Sequence, residues 1–343
     1  MRQRDTSLDI IRIFACLMVV LMHSPIPSAN ASGLFLVALS YITAPCIGLF
    51  FMVSGALLLP VKNDYFTFLR HRFGKVAIPT VVWSLIYIYI RWDFSESEIK
   101  IWQTIASLPF SAQGEGVLWF MYTLCGLYLL APILSGWLVR ASKREIEFVL
   151  ILWAITLCYP LLEIWFLIND SNTGPLYYFG GYVGYFLLGY YLKNFYKNIS
   201  LTICCVVALV GVALLWATKR IGIELDFYSV FWYLSIFIVA LCIVLWKLVY
   251  HVVKDRKFGE TTIKTLSLVS NLSFGVYLVH ILVMRYWLWR QPLINSIKDY
   301  AFQTILITVI TLIISFLGSL IVAKSPIGDF VIGFKERKKV REK

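Results

Sequence analysis

Charge is scarce in this chain. Only 15% of its 343 residues are Asp, Glu, Lys or Arg, against about 25% in water-soluble domains. Long polar stretches are missing too, so no separate soluble domain is expected, and the largest candidate outer loop, 92–116, is too short to hold one. The strict alternation of polar and apolar residues that marks a transmembrane barrel is also absent. Cysteines are present (Cys16, Cys46, Cys125, Cys158, Cys204, Cys205 and Cys242) but lie in apolar stretches without paired spacing. A disulfide framework and a zinc site are therefore not expected, nor is any other metal. No internal repeat is visible.

What is abundant is apolar sequence. Hydrophobic residues make up 60% of the chain, and runs of about 20 recur from end to end, the signature of a polytopic helical membrane protein. Ten spans are predicted, near 8–24, 33–60, 75–91, 117–139, 146–168, 176–194, 199–218, 227–249, 265–289 and 297–323. They make a single all-α membrane domain over 1–324, followed by a basic tail at 325–343. Pro45 predicts a kink in the second span. The stretch Tyr65 to Phe73, with Arg70, His71 and Arg72, reads as an interfacial helix.

The net charge of +12 would suggest nucleic acid as a partner of a soluble protein. Here the positive-inside rule accounts for it, and no nucleic acid is expected. With the amino terminus inside, 24 of the 31 Lys and Arg residues fall in inner segments. The seven outer ones are Arg91, Lys100, Lys219, Arg220, Arg285, Arg290 and Lys298. Ten spans return the basic tail to the same side, so count and charge agree on cytoplasmic termini in a multi-pass protein. Arg2 and Arg4, with Ala29-Asn30-Ala31, resemble a cleavable signal. Asp9 and Arg12 interrupt its apolar region, which favours a retained first helix.

Asp9 and Arg12 also belong to the most informative candidate constellation. Arg12 and His23 share the first span. Eleven positions at about 100° each return His23 to within roughly 20° of Arg12, about 16 Å along the axis. Ionisable groups inside a membrane helix are costly and mark functional sites. Neutral imidazole suits proton abstraction near pH 7, although an interfacial His bonded to a loop is the plainer reading. Arg12 could neutralise an anion from the cytoplasm, or snorkel, or pair with Asp9 one turn earlier.

Other elements carry similar pairs of readings. Arg70-His-Arg72-Phe-Gly-Lys75 would suit phosphates or simply membrane headgroups. Phe50-Phe-Met-Val-Ser54-Gly55 would allow close helix packing. Trp119 could be an aromatic-belt residue. Tyr277 and His280 share a helix face and read most simply as core. External carboxylates that could orient His23 are Asp93, Glu96, Glu98, Glu115, Glu163, Asp170, Glu224, Asp226 and Asp299, with nothing to choose among them.

Together, Ser7-Leu-Asp9-Ile-Ile-Arg12, Arg12-x10-His23, Phe50-Phe-Met-Val-Ser54-Gly55, Arg72-x2-Lys75-x3-Pro79, Leu118-Trp119-Phe120 and Tyr277-Leu-Val-His280 resemble the membrane acyltransferase-3 family over nearly the whole chain. The resemblance implies an O-acyltransferase in a bacterial cell (inner) membrane. Its donor would be cytoplasmic acyl-CoA, often acetyl-CoA, and its acceptor a hydroxyl of a surface polysaccharide or lipid-linked glycan outside. By resemblance His23 is the catalytic base, Arg12 supports donor binding, and Arg72 and Lys75 contact CoA phosphates. Asp9, Ser54, Trp119, Tyr277 and His280 are secondary candidates. The chain departs from many relatives at Val117, where they carry histidine, so no role for that histidine carries over. A glycan exporter without acyl-transfer chemistry is the alternative, since an intramembrane His and Arg also suit a proton relay. Against it, no paired helices broken by Gly or Pro occur in corresponding halves.

Overall fold

A computed structural model describes residues 5–27, 33–91, 98–163, 166, 174–195, 199–221 and 227–336. Among them every regular element is helical. Ala29-Asn30-Ala31, Asp93, Glu96, Asp170, Glu224, Asp226 and the end of the basic tail lie outside the described residues.

Each of the ten expected stretches contains a helix, but their lengths differ. Seven among the described residues are long and apolar enough to cross a membrane: Thr6–His23, Phe35–Leu58, Tyr65–Arg91, Gly116–Leu138, Ile236–Val253, Glu260–Arg290 and Tyr300–Lys324. The other three fall short of the roughly 20 residues a crossing takes. Lys143–Thr156 has 14 residues and Val183–Phe195 has 13. In Leu201–Ile221 the apolar part is Leu201–Ala217, followed by Lys219 and Arg220.

Two boundaries follow local chemistry. The second span is divided into Gly33–Thr43 and Pro45–Leu58, because Pro45 has no N–H to continue the ladder and instead opens the next helix. Tyr65 to Phe73 does not form a separate interfacial helix. It is the first third of a continuous 27-residue helix, Tyr65–Arg91, about 40 Å long. Asp64 caps its start by accepting from the Thr67 N–H at 3.0 Å. Hydrogen bonding from Thr67 holds the Asp64 carboxyl below its ordinary range.

The chain divides into two compact units. The first holds the residues up to Pro60 together with Ile133–Ser267, and the second Val61–Pro132 together with Leu268–Lys343. In the first, Pro45–Leu58 and Val183–Phe195 meet backbone to backbone. A methyl group built on Gly55 would overlap the Phe186 carbonyl oxygen, and one on Gly189 the Met52 carbonyl oxygen. Lys193 Nζ then donates to the Ala56 carbonyl at 2.6 Å, at the end of the partner helix. Tyr185 Oη donates to the Tyr233 carbonyl at 2.5 Å, and Tyr41 Oη to the Ala208 carbonyl at 2.9 Å. In membranes, such backbone proximity and hydroxyl–carbonyl bonds replace much of the hydrophobic driving force.

In the second unit the short helix Gly328–Ile332 packs on Tyr65–Arg91. Trp83 Nε1 donates to the Val331 carbonyl at 2.9 Å. Gly333, at φ 62°, lets the chain approach the Lys75 carbonyl, where a side chain would not fit. Tyr87 Oη donates to the Leu278 carbonyl at 2.8 Å, tying Tyr65–Arg91 to Glu260–Arg285.

Candidate active site

The Thr6–His23 helix starts at Asp5, whose carboxylate accepts from the Ser7 N–H at 3.0 Å. It ends at Ser24-Pro25, with Ser24 Oγ donating to the Val20 carbonyl at 2.8 Å. It is unbroken between Arg12 and His23. Leu8, Ile11, Ala15 and Val19 form its buried stripe, while Phe14 and Leu17 are exposed. At about 100° per residue, Arg12 and His23 lie within roughly 60° of that stripe and about 120–180° from Phe14 and Leu17. Both sites therefore face protein, which disfavours a snorkelling role for Arg12. Asp9, one turn before Arg12, is buried.

His23 Nδ1 lies 2.8 Å from the Val19 carbonyl. A carbonyl only accepts, so Nδ1 carries the hydrogen and the neutral ring keeps its lone pair on Nε2. That tautomer is the one a general base at Nε2 needs. Ser54 is half-buried on Pro45–Leu58, which packs against the first helix. Asp9, Arg12, His23 and Ser54 thus belong to the first unit.

The remaining candidates belong to the second. Arg72 and Lys75 are three positions apart on Tyr65–Arg91, hence on one face. The Arg72 guanidinium sits 6.0 Å from the Phe68 ring centroid, and Lys75 is exposed. Trp119 begins the Trp119–Leu138 helix and packs edge-on against Phe120, 6.4 Å between centroids. Phe120 lies 5.4 Å from the Tyr277 ring, and Tyr277 Oη donates to the Val117 carbonyl. His280, fully buried, places Nδ1 2.5 Å from the Tyr277 carbonyl. Two motifs about 160 residues apart are therefore one structural element: Tyr277 fixes the 116–120 turn that presents Trp119.

One group in this region was not distinguished by sequence. Glu115, only 6% exposed, accepts from Arg285 Nη1 at 2.9 Å and Tyr286 Oη at 3.2 Å. Arg91 Nη1 donates to the Gly114 carbonyl at 2.7 Å and lies 3.7 Å from the same carboxylate oxygen that accepts from Tyr286. Gly114, at φ 81°, makes the turn that brings Glu115 inward. Its partner lies 170 positions away, so the only sequence signal was an arginine in a segment expected to be outer, where the positive-inside rule depletes cations. Glu115→Ala should leave the Arg285 guanidinium and the Tyr286 hydroxyl without their acceptor. The expected cost is about 2 kcal/mol, lower than for a fully buried pair because Arg285 is partly exposed. Thermal unfolding in detergent should show it, with Glu115→Gln milder because its amide oxygen still accepts.

Among the described residues no group of three His, Cys, Asp or Glu side chains is arranged to hold a metal ion. No curated protein and no solved structure matches the chain. The family model described as an acyltransferase domain, that of the acyltransferase 3 family, matches residues 5–324. An integral multi-pass membrane protein by its apolar helices, the chain belongs to the acyltransferase 3 family and is a membrane acyltransferase.

Proposed function

We propose that this protein moves an acyl group, acetyl in the first instance, from cytoplasmic acyl-CoA to a hydroxyl of a surface polysaccharide or lipid-linked glycan outside a bacterial inner membrane. In this reading the chain crosses ten times with both termini in the cytoplasm, the three shorter helices completing their crossings through local thinning of the bilayer or as interrupted segments. The observation that carries the chemistry is His23, held by Val19 in the tautomer with its lone pair on Nε2. Family membership favours acyl transfer over export.

The step is an acyl transfer between oxygen and sulfur. Nε2 of His23 takes the acceptor hydroxyl proton as the oxygen attacks the thioester carbonyl. The C–S bond breaks, CoA leaves as thiolate, and the imidazolium returns the proton to it. The ester and free CoA account for all atoms, and no metal is required. Arg12 supports donor binding from the protein-facing side of its helix. Arg72 and Lys75 pair with the CoA phosphates, a fork and a point charge respectively.

The Arg72→Gln, Lys75→Gln double variant should raise KM for acetyl-CoA about tenfold or more, with kcat changed far less, because phosphate contacts remote from the carbonyl bind ground and transition state alike. Steady-state transfer assays over a range of acetyl-CoA concentrations check this. An unchanged KM would place the phosphates elsewhere. The overall reaction is tested by mass spectrometry and NMR of surface glycan with and without the gene. Loss of an O-acyl group on deletion is expected, and identical glycans would refute the reading.

A further inference from the structure

Two of the seven cations assigned to outer segments, Arg91 and Arg285, meet one buried carboxylate, Glu115, and a third, Arg290, lies over the ring of Tyr286, whose hydroxyl donates to that carboxylate. The positive-inside rule disfavours cations on that side, so their gathering needs a cause beyond membrane anchoring. Glu115 accounts for part of it: it binds Arg285 directly and lies 3.7 Å from Arg91. Two guanidiniums against one carboxylate leave one positive charge in excess, and Arg290 on the adjoining Tyr286 ring adds to it.

Two of the guanidiniums also lie over aromatic rings. The Arg285 guanidinium lies 5.5 Å from the Trp289 ring centroid and that of Arg290 5.7 Å from the Tyr286 ring. Tyr286 is itself anchored to Glu115 by its hydroxyl. Arg285 uses Nη1 on Glu115, while its Nε is buried without an acceptor among the described residues. Trp289 Nε1, on the ring beneath it, is buried without one as well. Buried donors left unmet are costly, and here two belong to one stacked pair, Arg285 over Trp289. Arg91 is 54% exposed at its side chain, and Trp287, next in sequence to Tyr286, is half-exposed.

We propose that this surface, formed within the second unit by Arg91, Glu115, Arg285, Trp289 and Arg290, binds an anionic saccharide, one that bears carboxylate or phosphate oxygens. The anionic oxygens meet the Arg285 and Trp289 donors and the exposed forks of Arg91 and Arg290. Planar, pre-oriented guanidiniums suit such groups better than the mobile lysines typical of headgroup anchoring. The inference rests on the glycan-acceptor reading above and narrows it: the acceptor carries negative charge close to the hydroxyl that is acylated.

The test reads binding alone, so that its failure is distinct from failure of acyl transfer. Full-length protein in phosphatidylcholine nanodiscs, accessible on both faces, is titrated with fluorescent trigalacturonic acid and with maltotriose. Trigalacturonic acid should bind at least about tenfold tighter. Arg91→Gln and Arg290→Gln, which leave the Arg285–Glu115 pair in place, should each remove most of that preference while the melting temperature holds. Equal binding of the two sugars, or a preference untouched in both variants, would overturn the proposal. So would a preference that disappears in discs containing phosphatidylglycerol, which would assign the surface to lipid headgroups.

Discussion

His23→Ala should abolish acyl transfer while leaving the fold and CoA binding intact. A positioned general base contributes about 10²–10⁴-fold, and the carboxylate on the same helix, Asp9, lies about 21 Å along the axis from His23, too far to replace it. The side chain is half-buried at the end of its helix, so truncation opens no deep cavity, and unfolding should shift little. His23→Gln sharpens the test. The amide can replace the hydrogen bond to Val19 but has no basic lone pair, so it should be as inactive as alanine. The covalent route, in which His23 first accepts the acyl group, gives a separate readout. Labelled acetyl-CoA would then mark the protein before any acceptor is added, whereas general-base transfer leaves the protein unlabelled. Wild-type turnover by His23→Ala would remove both mechanisms at once.

Gly55→Val and Gly189→Val should prevent accumulation of folded protein. Each glycine sits where the Pro45–Leu58 and Val183–Phe195 helices touch, and each added Cβ would run into a backbone carbonyl, not a side chain that can swing away. The contact is reciprocal, so relief at one site requires parting the two helices and losing the buried Phe51, Met52, Phe186 and Leu187 between them. A penalty above about 4 kcal/mol is expected, in the range reserved for core disruption. The contrast is Gly74, also within a helix, where nothing lies within 4 Å of an added Cβ. Gly74→Ala should be neutral or stabilising by up to about 1 kcal/mol. Fluorescence size-exclusion profiles of the three variants distinguish the cases. A Gly189→Val protein that elutes and melts like wild type would show that the helices do not meet there.

The Gly55 result illustrates what could be read from sequence and what could not. A glycine beside a serine in an apolar run signals close helix approach, but the backbone it meets, at Phe186, lies far along the chain and carries no matching signal. Helix existence was legible because apolar runs of about 20 residues dominate composition. Pro45 announced its own break. Tyr65–Arg91 was misdivided because Arg70, His71 and Arg72 look like an interfacial surface, whereas backbone hydrogen bonding continues through polar and apolar side chains alike. The Arg12–His23 geometry needed only an unbroken helix and was legible in full. The Tyr277–Val117 and Glu115–Arg285 bonds were not, since long-range pairing depends on which helices pack together, and a single sequence with uniformly apolar faces does not encode that visibly.

The central claim is that acyl groups move from CoA to glycan through His23. Purified protein in liposomes, given acetyl-labelled acetyl-CoA and extracted surface glycan, tests it most directly. The account predicts label on glycan hydroxyls with wild type and none with His23→Ala. Glycan crossing the liposome wall with no label transferred would contradict it and establish a carrier.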